Sequence, residues 1–428
     1  MDFAAKPLFK YKPKKGETIM AMDATATKRF SMEQRGMDTF EFSTGDENAL
    51  REEIEIMEDN TEWIENLQSN GFTVTEIDNP MEAEELSEEY GIPADYLRDI
   101  CEQEGTHLIA HNDGKSWPIA ATAIGTLGET AKLYGAAFER MTHTLRAQTY
   151  SNGLTTARGR SLVPVRFGRA AAFHSWGEKS GYLIMPQTML FDDTVACLQN
   201  KFGKIQFSEG IIRHDFTRAC WELPEAQERL LDKYREILMG KKSLYDISKM
   251  MPCARFSTSD TAKYAATLQP EFKMKSGSFC YIRFGNAISV RHEKHRDGLE
   301  GIDLYDKEIE QIWAKFDESI EQIQKLTEIP IYNGANCVVS LCNRYNISKR
   351  YGDQARQEIS DYQEAGAVIT AHDVYLSICN AVGEARWIGV SPKVIENLEE
   401  NVSRILSAEF SEHDVGGVVA WKSAAKAA

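Results

Sequence analysis

Residues 204–239 read KIQFSEGIIRHDFTRACWELPEAQERLLDKYREILM, and this stretch decides the fold class. Lys204–Phe207 and Ile211–Leu223 read as strands. The pattern then turns amphipathic, and Pro224–Met239 reads as a helix. Working outward, Thr106–Asn112 and Trp117–Ala123 read as two strands around an Asp113-Gly114 turn. Helices are expected over Thr126–Arg140 and Asp192–Asn200, and Met250–Thr258 and Phe279–Val290 read as extended. From Asp303 the chain becomes helical: Tyr305, Ile309, Ile312, Phe316, Ile320 and Ile323 step by four, three, four, four and three. Later helices begin at Thr370 and at Ser391-Pro392, an N-cap residue followed by proline at the first helical position. Val394, Leu398, Val402 and Ile405 line the last of them. The fold expected is α+β: a mixed or antiparallel central sheet, a helical N-terminal lobe and a helical C-terminal cap.

The chain has 428 residues, 42% of them hydrophobic, which suffices for a sizeable core. No run approaches the roughly 18 apolar residues of a membrane helix. The Lys-rich start lacks the apolar run of a signal peptide. None of the eight cysteines forms a CxxC pair, so free thiols in a reducing cytosol are expected. The parts expected are a flexible basic arm and linker (1–45), an acidic helical lobe (46–104), a mixed core (105–300) and a helical C-terminal part (301–428). Within the acidic lobe Leu50, Ile54, Met57, Ile64 and Leu67 recur at helical spacing.

Net charge is −16, which disfavours a sequence-blind duplex-DNA binder. The charge is uneven, however. Residues 146–179 hold Arg146, Arg158, Arg160, Arg166, Arg169 and Lys179 against Glu178 alone, with Phe167, Phe173 and Trp176 interleaved. Arginine forks match phosphate oxygens, and aromatic faces stack on unpaired bases. The opposing reading is that these arginines pair with the acidic N-terminal face. A second basic segment, 273–296, holds Lys273, Lys275, Arg283, Arg291, Lys294 and Arg296. On a strand, Phe279, Tyr281 and Arg283 share one face, as a single-strand stacking platform requires. An ordinary strand with one buried aromatic face is the alternative.

Two further patterns are weaker. Arg291-His-Glu-Lys-His-Arg-Asp297 gathers possible metal ligands, but its histidines are three apart where HExxH needs four. No metal and no cofactor are expected. Asp260 followed by Glu271-Phe-Lys273 has the acidic-then-ExK order of a metal-dependent nuclease, although Pro270 weakens the strand it needs. A phosphate-binding P-loop, a nucleophile elbow and an EF-hand loop are absent.

Several segments are familiar together: Tyr90-Gly-Ile-Pro-Ala-Asp-Tyr96, Ile184-Met-Pro-Gln-Thr-Met-Leu-Phe191, Ser289-Val-Arg-His292, the helix 303–326, and Thr370-Ala-His-Asp-Val374 with Asn380-Ala381-Val382. Their order resembles the phage/plasmid-like proteins of domain-of-unknown-function family 932, over about residues 85–410. Members usually carry a cysteine–asparagine pair in the strand before the Arg-His step, where this chain reads Ile282-Arg-Phe-Gly-Asn286. The resemblance implies an accessory protein of a mobile element and supplies no catalytic residues.

The functional expectation is a cytoplasmic phage- or plasmid-type protein that associates with nucleic acid, single-stranded DNA or RNA. Arg158, Arg160, Arg166 and Arg169 would contact phosphates, Phe279, Tyr281 and Arg283 would offer the stacking face, and Arg291 would also touch the nucleic acid. Two alternatives stand beside it. One is a non-enzymatic module whose acidic lobe, 47–104, engages a basic host protein; the other is a nuclease using Asp260, Glu271 and Lys273.

Overall fold

The computed structural model describes residues 30–66, 71–77, 79–102, 105–133, 135, 138, 140–156, 160–176, 181–239, 244–245, 247–276, 278–293, 301–387, 390 and 392–422. Its largest sheet has seven strands. They run in the order β1 (Glu41–Thr44), β9 (Gln206–Arg213), β10 (Phe216–Glu222), β11 (Met250–Thr258), β12 (Ala266–Ser276) and β13 (Ser278–Ile282), with β14 (Ile288–Val290) also beside β12. Every pairing is antiparallel. The fold is α+β, as the order of patterns predicts.

Ile211–Leu223, read as one strand, is the meeting of two. Arg213 pairs with Phe216, so the polar His214-Asp215 step is a tight turn between β9 and β10. Strand alternation then sorts the side chains. Ala219 and Trp221 of β10, Ala254 and Phe256 of β11, and Leu268 and Phe272 of β12 join one apolar core. Burying a side chain such as Phe256 contributes about 1.5–3 kcal/mol. Trp221 is fully buried and its indole N–H donates to Glu47 Oε1 at 3.1 Å. This face is covered by α2 (Glu47–Asp59), α7 (Gln187–Phe202), α8 (Gln227–Leu238), α9 (Gly301–Ile309) and α10 (Ile312–Glu328). Gly210 lets α2 close on β9: a Cβ there would lie 2.4 Å from a Leu50 methyl. All six residues of the stripe from Tyr305 to Ile323 are buried, across a break at residues 310–311 that divides the expected single helix.

Pro270 sits inside β12, opposite Ala254. β13 pairs with residues 272–276 of β12 and β14 with 266–268. The proline therefore falls where β12 has no second strand partner, and its missing N–H breaks no ladder.

The acidic stretch contains strands as well as helices. β2 (Thr61–Asn66) pairs with β6 (Arg160–Arg166), which also carries β7 (Arg169–Ala170) and β8 (His174–Trp176). β3 (Thr73–Glu76), β4 (Leu108–Asn112) and β5 (Lys115–Pro118) form a third sheet. Asp113 and Gly114 both have positive φ, 50° and 75°, the signature of the type I′ hairpin read from the sequence. Around these sheets lie α3 (Ala83–Tyr90), α4 (Ala94–Glu102), α5 (Ala123–Ala131) and α6 (His143–Thr156). α5 stops short of the expected Arg140, because Lys132 turns left-handed at φ 60°. Phe72, Trp117, Tyr150 and Phe173 share the core here. Residues 1–29 of the basic arm lie outside the described residues, whereas 30–45 hold α1 (Met32–Gly36) and the edge strand β1.

The C-terminal part is helical, with α11 (Gly334–Arg344), α12 (Lys349–Glu364), α13 (Ala371–Trp387) and α14 (Pro392–Arg404). α13 lies against β13 and packs on both α12 and α14. On α14 the buried stripe is Ile395, Leu398 and Val402, continued by Ile405 just beyond it; Val394 faces outward. Among the described residues no helix is long and apolar enough to cross a membrane.

Candidate functional site

The second face of the large sheet is built of charge. Alternation that turns Ala219 and Trp221 inward leaves Arg218, Cys220 and Glu222 on the other side of β10. The same rule places Arg213 on β9, Arg255 on β11, Glu271 and Lys273 on β12, and Tyr281 on β13, with Arg283 just past the end of that strand. Ion pairs knit these strands. Lys273 meets Glu222 at 2.7 Å, and Glu271 takes Arg255 at 2.8 Å and Arg283 at 2.6 Å. Glu271 and Arg255 are fully buried, so the pairing is what keeps both charges inside.

Two helices close the network. Arg386 of α13 reaches Glu209 at 3.2 Å and Glu399 at 2.5 Å. Glu399 of α14 also takes Arg255 at 2.8 Å. One turn earlier, Glu396 takes Arg213 at 2.6 Å and Arg218 at 3.1 Å, and the Tyr264 hydroxyl donates to it at 2.9 Å. The Tyr281 ring lies within reach of three cations: the Arg255 guanidinium carbon is 4.2 Å from its centroid, that of Arg386 5.3 Å and Lys273 Nζ 5.7 Å. Burial acts to raise the Glu399 carboxyl, but Arg255, Arg386, Arg218 and Arg283 outweigh it and hold it well below the usual range. Burial and the neighbouring Arg255 lower Arg218. A cavity of about 10 Å³, room for one water, is lined by Tyr281, Arg283, Tyr375, Cys379 and Glu399 among others.

A second polar cluster joins the large sheet to β2, β6 and β8. Trp63, His174, Tyr182 and His292 stack nearly parallel, with His174 and Tyr182 centroids 3.8 Å apart. His174 Nε2–H donates to the Asp260 carbonyl at 2.8 Å. The two ring nitrogens of His292 each lie 3.1 Å from a hydroxyl, of Tyr182 and of Thr258. Burial pushes His174 and His292 down to about 4, so both rings are neutral at pH 7. Elsewhere, Asp306 of α9 shares a hydrogen bond with Asp193 of α7. Burial, then the Asp193 charge, raises Asp306 to about 6.

The expected site residues divide. Arg158 lies outside the described residues, as do the side chains of Arg160 and Phe279, whose backbones sit in β6 and β13. Arg166 and Arg169, expected to meet phosphates, are each only 2% exposed. Arg166 pairs with Asp260 and donates to the Thr61 hydroxyl at 3.0 Å. Arg169 pairs with Asp38 at 2.7 Å and Asp99 at 2.5 Å. These two guanidiniums bind carboxylates inside the fold, so a surface phosphate role does not fit them. Asp99 belongs to the acidic stretch, in line with the opposing reading. Tyr281 lies on β13, whereas Arg283 falls just past the end of that strand, beneath α13, where Tyr375 Oη donates to the Arg283 carbonyl at 2.6 Å. The Arg291 side chain is 76% exposed and nears Glu293 only at 3.9 Å.

The arginines of the two basic groups have different partners: Arg166 and Arg169 pair with Asp260, Asp38 and Asp99, and Arg283 pairs with Glu271. Asp260 pairs with Arg166, whereas Glu271 pairs with Arg255 and Arg283, so the nuclease-like triplet is divided between the two clusters. Among the described residues no group of three histidine, cysteine or acidic side chains is arranged to hold a metal ion.

Reading motifs alone missed Arg213, Arg218, Arg386, Glu396 and Glu399. The signals were present in period form: Arg218-x-Cys220-x-Glu222 alternates with apolar residues on a strand, and Glu396 and Glu399 stand three apart on a helix. The chain matches no protein-family model, no curated protein and no solved structure.

Proposed function

We propose that this chain binds single-stranded nucleic acid, DNA or RNA, on the charged face of its large sheet. The observation that carries the reading is Tyr281, an aromatic ring with Arg255, Arg386 and Lys273 gathered around it and Arg283 just past the end of its strand; Tyr281 and Arg255 are buried, so binding needs this face to open. A single strand asks for both partners: cations for its phosphates and a ring for its bases. Arg283 and Arg386, 20% and 21% exposed, form the open rim of that face. The likeness of the quoted segments to phage/plasmid-like proteins is the ground for assigning the chain an accessory role on a mobile element in a host cytosol. Eight buried free thiols agree with a reducing compartment.

The test is fluorescence anisotropy with labelled single-stranded DNA, duplex DNA and RNA at low and high salt. Binding that prefers single strands, weakens steeply with salt and drops in Arg386→Ala supports the reading. Glu399 keeps Arg255 in that variant, so the fold retains the pair beneath. No binding at micromolar protein in low salt ends the reading.

A second reading rests on a separate observation. Glu84, Glu85, Glu88 and Glu89 of α3 all face solvent, an acidic surface suited to a basic protein partner. Loss of a purified complex on replacing these four glutamates with glutamine, with oligonucleotide binding absent, would favour it.

A further inference from the structure

We infer that Glu396 and Glu399 of α14 stand in the phosphate positions of the charged sheet face, so that a single-stranded nucleic acid binds there by displacing α14. This inference rests on the binding reading above and adds its control.

The geometry of the pair is the first ground. Glu396 and Glu399 lie one helical turn apart on one side of α14. Between them they take guanidiniums from β9, β10, β11 and α13: Arg213, Arg218, Arg255 and Arg386. The guanidinium fork accepts a carboxylate or a phosphate with the same two-point geometry. Four guanidiniums converging on two anions spaced along a rod is the arrangement a phosphate backbone would meet.

The second ground is that the glutamates do not satisfy this face. Arg218 Nε, Arg255 Nε and Arg255 Nη2 are buried and have no hydrogen-bond partner, nor has the nearby acceptor Glu271 Oε2. Such donors are costly to leave unmade, about 1–3 kcal/mol each. Two carboxylates offer four oxygens, whereas each guanidinium carries five N–H groups. A chain of phosphates brings more acceptors to the same place.

The third ground is how α14 is held. α14 packs on α13 and on the short turn after it, buries Ile395, Leu398 and Val402 in the main core, and meets the charged face through its two glutamate side chains. Most of the deeper pairs do not depend on α14. Glu271 keeps Arg255 and Arg283, and Glu222 keeps Lys273. Arg218 is the exception: Glu396 is its one carboxylate partner among the described residues. Moving α14 away would free Arg218 first, beside Arg213 and the Phe216 ring that both arginines overlie.

The test uses the full chain and a labelled oligothymidylate. Hydrogen exchange of amides 392–404 is followed with and without saturating oligonucleotide, and affinity is compared between wild type and Glu396→Gln/Glu399→Gln. Glutamine keeps an acceptor oxygen for the arginines, and circular dichroism reports whether the variant is folded. The expected result is faster exchange in 392–404 on binding, with the variant about tenfold tighter. Wild-type binding with exchange in 392–404 unchanged overturns displacement and leaves the binding reading standing. Absence of binding by both proteins overturns the two together.

Discussion

Arg255 of β11 donates from Nη1 to Glu399 of α14 at 2.8 Å, and the two side chains are only 1% and 8% exposed. The bond spans 144 residues of chain and ties the helical C-terminal part to the sheet. Removing one member of such a pair leaves a charge buried without its partner. Glu399→Ala should therefore lower stability by about 3–5 kcal/mol in urea denaturation, and Glu399→Gln by clearly less. Equal, small losses in the two variants would mean that solvent reaches Arg255.

The buried histidines set a pH window. His174 and His292 are held down at about 4 and His214 at about 3, each chiefly by burial. Their unfolded value is about 6.5. The unfolded chain therefore binds protons first as pH falls. Stability is full above pH 6.5 and declines from there toward pH 4, by up to ~1.4 kcal/mol per pH unit for each ring. Denaturation midpoints at pH 7.5, 5.5 and 4.5 should fall in that order. His174→Gln should flatten the slope; a profile unchanged in that variant would mean the ring is not buried neutral.

Asp306 has the opposite sign. Its carboxyl is raised to about 6, so the folded chain holds a proton that the unfolded chain has released. Its contribution is most favourable near pH 4 and is lost as pH rises through 6. Asp306→Asn should raise the melting temperature at pH 8 and change it little at pH 5. A rise of equal size at both would place the effect outside titration.

Two of the arginines expected to bind nucleic acid separate cleanly by stability. Arg169→Ala strips Asp38 and Asp99 of a shared buried partner, and a loss of about 3–5 kcal/mol is expected. Arg291→Ala removes an exposed side chain, and a change within about 0.5 kcal/mol is expected. Thermal melts of the two variants, side by side, check both. A mild Arg169→Ala would show that its carboxylates find other partners.

What the sequence determined by itself is local. The extended reading of Met250–Thr258 matches β11 to the residue, and the stripe from Tyr305 to Ile323 marked a core-facing helical stretch. The Asp113-Gly114 pair specified its own turn, because both φ values are open to those residues. Pro270 misled, since its cost depends on whether a second strand lies beside it, which no neighbour in the chain reveals.

The fate of the charges was decided by tertiary structure alone. An arginine reads the same in sequence whether it meets solvent, a phosphate or a buried glutamate. Arg169 finds Asp38 across 131 residues, and Arg213 finds Glu396 across 183. Charge runs record how many cations a segment carries. Which of them remain outside is settled when distant carboxylates are folded against them, because a buried charge is tolerable only beside its partner.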